Sequence, residues 1–395
     1  MKFLYIGAFR FPNGDAAGSR VLNNARALRL AGHDVEFIAW GGSERQEDLC
    51  NDGLYRYDGF VYQVTGEIIL QGCILHKLYT VLTAGHKTKK ILNKRMGSYD
   101  AVIFYNGSYG LTKFLLRLGA KNNIRIIHDI TEWYATKEVL PMFRYTYNKN
   151  MKELQHKVPN KICISSYLSQ YYSGSNNITV PALCDASEDK WKPRSLNNLP
   201  TVVKCFHGVR FIYAGIPAKK DLLHNAINVI NKLAKEGFQI QFLILGSTKD
   251  DYLSSFSDEL KDKDLHKNIV FLGRVSQTDV PAYYQLADFM LLLREPTRKS
   301  QAGFPTKFAE AMISGTPVCA NITSDLGMYL KDGFNGIVVP GYSENELENT
   351  LRKWLPILNK EKLSLMKLNT ISSAHSNFDY HAYTESIIHF IKNLR

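Results

Sequence analysis

Residues 302–318 read AGFPTKFAEAMISGTPV, and this stretch decides the fold because it predicts a strand–loop–helix–strand unit. The apolar run 289–293 before it is typical of a buried strand, and the run 318–320 is typical of a second one. Between them, apolar residues recur at helical spacing until Gly315-Thr316-Pro317 ends the helix. Strands joined by a helix in this way indicate a parallel α/β sheet.

The N-terminus of this helix is predicted to bind an anion. Its first backbone N–H groups have no partner within the helix and carry partial positive charge. Lys307 in the first turn adds a full charge, and Glu310, one turn in, can accept hydrogen bonds from two vicinal hydroxyls of a ribose. The alternative interpretation is an ordinary strand–helix–strand unit with a solvated first turn.

The stretch resembles the donor-binding signature of the retaining glycosyltransferases of glycosyltransferase family 4. In that signature two glutamates lie eight positions apart, and the second is followed by Ala-Met-x-x-Gly-x-Pro-Val, as in residues 310–318. The first glutamate falls on Ala302, so its usual contact with hydroxyls of the transferred sugar is missing. The resemblance implies that the nucleotide sugar is bound by Gly303, Phe304, Pro305, Thr306 and Glu310.

The resemblance also implies the fold and the division of the chain. Enzymes of this family have the GT-B fold, in which two Rossmann-like, doubly wound α/β domains face a central cleft. We therefore expect an N-terminal, acceptor-side domain at residues 1–185, a linker at 186–207 and a C-terminal, nucleotide-sugar-binding domain at 208–375. Residues 376–395 are expected to form a helix that crosses back to the N-terminal domain.

Length and composition agree with two domains in a reducing compartment. A chain of 395 residues with 45% hydrophobic content is long for a single core. Its six cysteines include no C-x-x-C pair, which argues against a zinc or disulfide framework. We predict no signal peptide, because Met1-Lys2 runs straight into the strand 3–8. We predict no transmembrane helix, because no uninterrupted apolar run approaches the length of about 20 residues that one needs. The expected location is the cytoplasm, with a peripheral position on the inner face of the plasma membrane as an alternative.

The net charge of +12 indicates anionic partners, and the excess is uneven. Residues 1–185 carry 23 Lys and Arg against 15 Asp and Glu, or +8, which leaves +4 for the rest. Within residues 77–95 there is no acidic residue, and six basic residues alternate with apolar ones: Lys77, Lys87, Lys89, Lys90, Lys94 and Arg95. This segment predicts either a basic amphipathic helix on an anionic membrane surface or a solvated surface helix.

Short apolar runs predict further parallel strands, and ligands bind at the carboxyl ends of such strands. Runs in the N-terminal half lie at 3–8, 35–40, 60–64, 101–105, 124–127 and 161–165, with helices at 21–30 and 141–156. Runs in the C-terminal half lie at 209–214, 240–245, 269–275 and 337–339, with helices at 222–235, 282–287, 344–358 and 381–393.

Three loops of the N-terminal half fall at predicted strand ends. The Gly-rich loop 12–20 leads into a helix and is similar to the opening of family-4 enzymes, where Gly18 approaches the donor diphosphate. The polar loop 105–108 is a candidate for acceptor contacts. His128 lies beside two acids, so it can bond a sugar hydroxyl or pass a proton. The alternative for His128 is a buried histidine satisfied by backbone groups.

The loop after residues 209–214 is the predicted diphosphate site. Gly215 is followed by Lys219 and Lys220 just before a helix, an arrangement that neutralises a diphosphate and the charge growing on it as a glycosidic bond breaks. Family members often have an arginine directly after the glycine, where this chain has Ile216. We favour Lys220 over Lys219 as the family lysine.

Most of the remaining assignments follow from the resemblance. Arg274 and Val275 correspond to the loop that holds the nucleobase through backbone groups. Arg294, because it follows the predicted strand 289–293, is expected to touch the donor or the acceptor. The predicted catalytic residues are Lys220, His128 and Lys307. No cofactor or metal is expected, because GT-B enzymes generally need none.

These features predict a retaining glycosyltransferase that moves a hexosyl unit from a UDP- or GDP-linked sugar to a glycan or lipid-linked acceptor in bacterial surface polysaccharide synthesis. Two alternatives remain open. A nucleotide-sugar epimerase of the same fold would act without an acceptor. A basic nucleic-acid-binding protein would interleave basic and aromatic residues on one surface, whereas lysines here also lie at strand ends.

Overall fold

A computed structural model describes residues 1–12, 14–67, 83–196 and 199–395 and divides the chain into two compact units. Unit 1 comprises Met1–Cys184, Ala302–Phe304 and Tyr380–Arg395. Unit 2 comprises Asp185–Gln301 and Pro305–Asp379. The chain therefore begins and ends in the same unit.

Unit 1 contains an eight-stranded sheet with the order β3-β4-β2-β1-β5-β6-β7-β8. All neighbouring strands run parallel except β3 and β4, which are antiparallel. The strands are β1 Lys2–Phe11, β2 Asp34–Gly42, β3 Tyr55–Tyr57, β4 Phe60–Val64, β5 Ala101–Tyr105, β6 Arg125–Ile130, β7 Asn160–Cys163 and β8 Asn176–Thr179. The order reverses between β1 and β5, as in a doubly wound fold.

Unit 2 contains a six-stranded, parallel sheet with the order β11-β10-β9-β12-β13-β14. The strands are β9 Val209–Ala214, β10 Ile240–Leu245, β11 Ile269–Gly273, β12 Phe289–Leu292, β13 Val318–Asn321 and β14 Gly336–Val339. Here the order reverses between β9 and β12. The prediction of two Rossmann-like domains is therefore confirmed.

Helices connect most of the strands and cover both sheets. They are α1 Ala16–Leu30, α2 His86–Arg95, α3 Tyr109–Asn122, α4 Arg144–Lys149, α5 Ser166–Tyr171, α6 Thr201–Lys204, α7 Leu223–Lys235, α8 Lys249–Phe256, α9 Val280–Leu286, α10 Arg298–Ala302, α11 Thr306–Ile313, α12 Leu326–Tyr329, α13 Glu344–Trp354, α14 Lys360–Phe378 and α15 Thr384–Lys392. Among the described residues, no helix combines the length and the apolar character needed to cross a membrane.

Alternating side chains of β1 show how the sheet of unit 1 is buried on both faces. Phe3 and Tyr5 pack into one hydrophobic cluster, whereas Leu4 and Ile6 pack into another. Because successive side chains of a strand point to opposite faces, the two clusters lie on opposite sides of the sheet. An apolar run without alternation is therefore what this strand requires.

The largest differences between prediction and structure concern four segments. The first helix begins at Ala16 rather than at 21, because Asp15 caps it by accepting a hydrogen bond from Gly18. The predicted helix 141–156 is divided into a 3₁₀ turn, α4, a π-helical turn and another 3₁₀ turn. The predicted linker 186–207 contains α6 and a 3₁₀ turn at Asp189–Trp191, where the Trp191 indole N–H donates to the Asp185 carbonyl. Helix α14 was not predicted.

Of the predicted basic helix 77–95, only the part from residue 83 lies within the described residues, where it forms α2. Residues 77–82, including Lys77, lie outside them. The loop 12–20 is described except for residue 13.

Candidate functional site

The carboxyl ends of β9 and β12 form the switch point of the sheet of unit 2. These two strands are paired, and the order of strands along the sheet reverses between them. In open α/β sheets the crevice outside the strand ends at such a point is where ligands bind. Here β9 leads into Gly215 and the 3₁₀ turn Lys219–Asp221, and β12 leads into Arg294.

Asp221 lies at the centre of a buried ion cluster at this point. Its carboxylate accepts hydrogen bonds from Lys307 Nζ at 2.7 Å, from Arg294 Nε at 2.8 Å and from the Tyr213 hydroxyl at 2.8 Å. Burial would raise the pKa of this carboxyl, but the charges of Lys307 and Arg294 outweigh it and hold the pKa well below its usual range. The carboxylate is therefore ionised at neutral pH and holds both cations in place.

Arg294 is fixed at both its side chain and its main chain. Its backbone N–H donates to the Asn321 side chain at 2.8 Å, and its carbonyl accepts from the same amide group at 2.8 Å. Only 6% of Arg294 is exposed. The contact of Arg294 with donor or acceptor stays a prediction: in this structure its guanidinium binds Asp221, and burial leaves it little accessible surface.

Lys307 places an ammonium group beside the turn that follows β9. The group lies over the Tyr213 ring, 4.0 Å from its centroid, and a Cβ added at Gly215 would come 3.1 Å from Lys307 Nζ. Burial lowers the pKa of Lys307 to about 8, because the attraction of Asp221 offsets only part of the desolvation cost. At neutral pH most of the population is therefore still protonated.

The turn itself requires glycine. Gly215 has a φ of +137°, and the neighbouring Gly246, at the end of β10, has a φ of +101°. A Cβ at Gly246 would come 2.3 Å from the Gly215 carbonyl oxygen, which no side chain allows. The two strand ends thus approach each other through their backbones, and Ile216 is left 71% exposed.

Lys219 and Lys220 lie exposed on the 3₁₀ turn between Gly215 and α7. The charge of Lys220 contributes to the lowered pKa of Lys307, so the two ammonium groups act on the same region. The structure therefore brings two of the predicted catalytic residues, Lys220 and Lys307, to one strand end.

Glu310 lies one turn into α11 and is partly exposed. None of the described residues donates a hydrogen bond to its carboxylate. Burial raises the pKa of Glu310, against the opposing charges of Lys190 and Lys307. Because none of the described residues donates to it, the Glu310 carboxylate is available to accept hydrogen bonds from a ligand.

The loop before α11 offers backbone groups rather than charged side chains. Phe304 and Pro305 are buried, whereas Gly303 and Thr306 are partly exposed. Pro305 is the N-cap residue and has no side-chain oxygen that could cap the helix. The N-terminus of α11 is therefore not closed by its own N-cap side chain.

The predicted nucleobase loop follows β11. Arg274 is exposed and Val275 is partly exposed. The backbone of Gly273 is held by hydrogen bonds with Ser247 and Gly246 at 3.2 and 2.7 Å. This places Arg274 and Val275 at the carboxyl edge of the same sheet as Gly215.

In unit 1, the amide of Gly18 is already occupied. It donates to the Asp15 carboxylate at 2.7 Å, and a Cβ at Gly18 would come 2.2 Å from the Arg10 carbonyl oxygen. The glycine is needed for close packing of α1 on the end of β1. The approach of Gly18 to a diphosphate stays a prediction; in this structure the Asp15 carboxylate occupies the helix N-terminus and accepts from the Gly18 N–H.

His128 lies within β6, two residues before its end, and is 2% exposed. Its ring stacks on Phe104 with centroids 4.4 Å apart. Burial, reinforced by the charge of Lys161, holds the pKa of His128 well below its usual range. The described residues offer neither ring nitrogen a hydrogen bond. The strand-end position predicted for His128 is therefore wrong, and its surroundings are those of a core residue, although backbone groups do not satisfy it.

Sequence reasoning missed the residues that hold these sites together. In unit 2 it missed the pairing of Asp221 with Arg294, although an acid directly after two lysines is a signal for an internal ion pair. In unit 1 it missed Arg20, which is 3% exposed and donates to Asp129 at 2.7 Å and to the Val180 carbonyl at 2.8 Å. Both pairings join residues distant in sequence.

Residues 210–365 match the family model described as glycosyl transferases group 1. This range, less than half of the chain, includes all of the unit 2 site: Gly215, Lys219, Lys220, Asp221, Arg294, Lys307 and Glu310. No curated protein sequence matches the chain. The family match supports glycosyltransferase activity.

The whole chain has the fold of GT-B glycosyltransferases. HepE of Anabaena, solved in complex with UDP-glucose, gives a TM-score of 0.68 at 15% identity, and the similarity covers 100% of both chains. Sucrose-phosphate synthase of Thermosynechococcus elongatus gives 0.69 at 14% identity over 99% of this chain and 98% of its own. A glycosyltransferase of Rickettsia africae gives 0.67 at 14% identity over 99% of each chain. At these identities the similarity establishes the fold.

Proposed function

We propose that the chain is a retaining, metal-independent hexosyltransferase of glycosyltransferase family 4. It takes a hexosyl unit from a nucleotide diphosphate sugar and transfers it to a hydroxyl of a glycan or lipid-linked acceptor, in the synthesis of a bacterial surface polysaccharide. The match to glycosyl transferases group 1 supports a nucleotide-sugar donor. The UDP-glucose bound by HepE favours a UDP-linked donor over a GDP-linked one.

The observation that carries the proposal is the Lys307 ammonium group at the switch point of unit 2. Asp221 holds it at 2.7 Å, beside a turn that only glycine can form. A diphosphate is attracted by such a cation, by the neighbouring Lys220 and by the N-terminus of α11. The charges are in place before the ligand arrives, so little reorganisation is needed.

The same groups would stabilise the leaving group. As the bond between the sugar and the diphosphate breaks, negative charge grows on the phosphate oxygen, and nearby ammonium groups lower the energy of that state more than that of the bound donor. In this mechanism Lys307 binds the diphosphate, Lys220 meets the growing charge, and Glu310 accepts hydrogen bonds from the ribose hydroxyls.

The sequence at position 302 favours front-side attack. Ala302 presents a fully buried methyl group where the family has its first glutamate, so this chain supplies no carboxylate nucleophile there. We infer that departure of the nucleoside diphosphate precedes attack by the acceptor hydroxyl on the same face of the sugar. A covalent double displacement would need a nucleophile from elsewhere in the chain.

The test is thermal unfolding of the full chain with a panel of UDP-, GDP- and ADP-sugars. A ligand that binds only the folded protein stabilises it by about 2.7 kcal/mol at one hundred times its Kd, so the correct donor should raise the Tm. We expect the largest shift with a UDP-hexose, and we expect Lys307→Met to abolish it. Lys353→Met, an exposed lysine on α13, is the matched control and should retain the shift.

Two outcomes would contradict the proposal. If no nucleotide sugar raises the Tm of the wild-type chain, the site does not bind a donor. If NMR of the protein with a lone nucleotide sugar shows conversion of the sugar without any acceptor, the chain is an epimerase rather than a transferase.

A further inference from the structure

Helix α14 of unit 2 is apolar on two faces, one buried and one exposed. The side chains that it buries are Met366, Thr370, Ala374 and Phe378. On the opposite face, Leu365, Leu368 and Ile371 are 58%, 65% and 40% exposed. A surface helix normally presents polar side chains to water, so a contiguous apolar face on the solvent side indicates a binding partner.

The exposed residues form one stripe along the helix. Positions 361, 365, 368, 372 and 375 follow each other in steps of four, three, four and three, which is the spacing of a coiled-coil seam. All five are exposed. Leu365 and Leu368 lie in the middle of this stripe, Ile371 borders it, and Glu361 and His375 lie at its two ends. We call these residues, together with Ser372, the α14 stripe.

No charge lies between the two ends of the α14 stripe. The two lysines in this part of the helix are held away from it. Lys362 Nζ lies over the Trp354 ring, 4.6 Å from its centroid, and Lys367 Nζ donates to the Asp288 carboxylate at 3.1 Å. The centre of the stripe can therefore be covered by an apolar surface without burying an ionised group.

Residues on both flanks widen the apolar surface. With 3.6 residues per turn, Asn369 and Ile371 lie on opposite flanks of the stripe. Asn369 donates to the carbonyl of Phe334, a residue 46% exposed, at 3.0 Å. On the other flank, a Cβ at Gly315 would come 3.0 Å from the Ile371 side chain, so the turn after α11 supports that residue. Such flanks add to the area of one helix, as a stable interface needs about 800 Å² per partner.

The α14 stripe is complementary to itself when its direction is reversed. Glu361 lies seven residues before Leu368, and His375 lies seven residues after it. Within the described residues, neither Glu361 nor His375 forms an ion pair. Two antiparallel copies centred on Leu368 set a carboxylate against an imidazole at both ends, where a ring N–H can donate to the carboxylate. Two parallel copies would set carboxylate against carboxylate.

We propose that the α14 stripe binds the same stripe of a second copy of the chain, in an antiparallel pair about a two-fold axis at Leu368. Leu365 lies opposite the partner's Ile371, and Glu361 opposite the partner's His375. Because the axis is two-fold, each contact occurs twice and the pair closes as a dimer. This interface is independent of the donor site of unit 2 and of the function proposed for it.

The first test is the mass of the full chain in solution, by light scattering and sedimentation velocity over a range of concentrations. The wild type should be a dimer. Leu368→Glu sets two carboxylates against each other at the axis, so the dissociation constant of the dimer should rise at least about a hundredfold. The matched control is Met142→Glu in unit 1, where the methionine is 64% exposed, and this variant should dimerise like the wild type.

The second test exchanges the charges at the ends of the stripe. Glu361→Arg and His375→Glu should each weaken the dimer, because each sets like or unmatched groups opposite one another at both ends. In an equal mixture of the two variants, one end of the helix pair has the two new, opposite charges and the other end keeps the original pair. The mixture should therefore dimerise although each variant alone does so poorly.

Three results would overturn the proposal. A wild type that stays monomeric at every concentration would leave the α14 stripe to a different protein partner. A Leu368→Glu variant that dimerises like the wild type would place the interface elsewhere on the chain. A mixture of Glu361→Arg and His375→Glu that dimerises no better than either variant alone would exclude the antiparallel register. Circular dichroism of each variant checks the fold, and the mixture tests the interface even if Leu368→Glu does not fold.

Discussion

At the residue scale, the two lysines of the unit 2 site meet different surroundings. Lys307 is held by Asp221 and covered by the Tyr213 ring, so its charge is present whether or not a donor is bound. Lys220 is exposed on the 3₁₀ turn after Gly215. A charge fixed in the ground state contributes mainly to donor binding, whereas a group that engages the departing phosphate contributes to kcat.

Replacing Lys220 by Ala should therefore lower kcat more than it weakens donor binding. Loss of one group that stabilises charge in the transition state typically costs about 10²–10³ in kcat. Steady-state kinetics with a UDP-sugar measure both quantities, and Lys219→Ala, the adjacent exposed lysine, is the control that should keep most activity. Turnover near the wild-type value in the Lys220 variant would remove this residue from the mechanism.

The lowered pKa of Lys307 predicts that affinity for UDP depends on pH. Because the diphosphate binds the protonated amine, affinity for UDP should fall as the pH rises through about 8, by up to about tenfold per pH unit above that value. Below pH 8 the amine is already charged, so affinity should level off. Calorimetric titration with UDP between pH 7 and about 9.5 measures the curve.

Lys307→Met should bind UDP more weakly and lose this pH dependence, because no group at this position titrates. A Lys307 variant that keeps the same curve would show that another group titrates there. Lys353→Met should follow the wild-type curve throughout.

At the element scale, the sequence predicted strands well where an apolar run is short and bounded. The runs 101–105, 209–214 and 240–245 coincide with β5, β9 and β10, because buried parallel strands need apolar side chains on both faces. Strand β8, Asn176–Thr179, cannot be recognised from an apolar run, because its Asn-Asn-Ile-Thr sequence lacks that signal. Helix α14 was missed because it buries only a narrow row, Met366, Thr370, Ala374 and Phe378, while leucines on other faces are exposed.

The candidate site was predictable only in part, because some of its residues follow from local sequence patterns and others depend on the order of the strands in the sheet. Gly215, Lys220 and Glu310 follow from local patterns of strand, turn and helix. The bonds of Asp221 to Arg294 and Lys307 depend on β12 lying next to β9 rather than next to β11, the strand before it in sequence. That order is a property of the folded sheet, so no local pattern contains it.

The close backbone contact between Gly215, after β9, and Gly246, after β10, predicts that a side chain at Gly246 lowers both stability and UDP affinity. Gly246→Ala would place a methyl group 2.3 Å from the Gly215 carbonyl, so the two turns must separate and Gly215 must move relative to Lys307. We expect a loss of stability of about 1–3 kcal/mol or more, together with weaker UDP binding. Urea unfolding and UDP titration measure the two effects.

Gly237→Ala is the matched control, because Gly237 also has a positive φ, +96°, but a Cβ there meets nothing within 4 Å. Both variants carry the backbone strain of alanine at positive φ, and only the one at Gly246 adds the collision. Gly237→Ala should therefore lose less stability and keep UDP affinity. Equal losses in the two variants would mean that strain alone accounts for the effect.

At the scale of the whole molecule, the last residues of the chain complete the core of unit 1. Phe390 and Ile391 of α15 pack in the same hydrophobic cluster as Phe3 and Tyr5 of β1. Asn176 donates to the Phe390 carbonyl at 3.2 Å, and Asn160 donates to the Arg395 carbonyl at 2.9 Å. Unit 1 therefore cannot bury its apolar surface until the chain has passed through unit 2 and returned.

Removing one side chain near the C-terminus should accordingly loosen the N-terminal strands. Phe390 is 4% exposed, and Phe390→Ala should cost about 3–5 kcal/mol of unfolding free energy, because a buried aromatic ring is replaced by a cavity. Met142→Ala in the 3₁₀ turn Pro141–Phe143, where the methionine is 64% exposed, is the control and should cost less than about 0.5 kcal/mol. Hydrogen exchange followed by mass spectrometry should show faster exchange in β1 and α1 of the Phe390 variant, with the strands of unit 2 changed less. Faster exchange confined to α15 would instead mean that the C-terminal helix is only attached to a core that is complete without it.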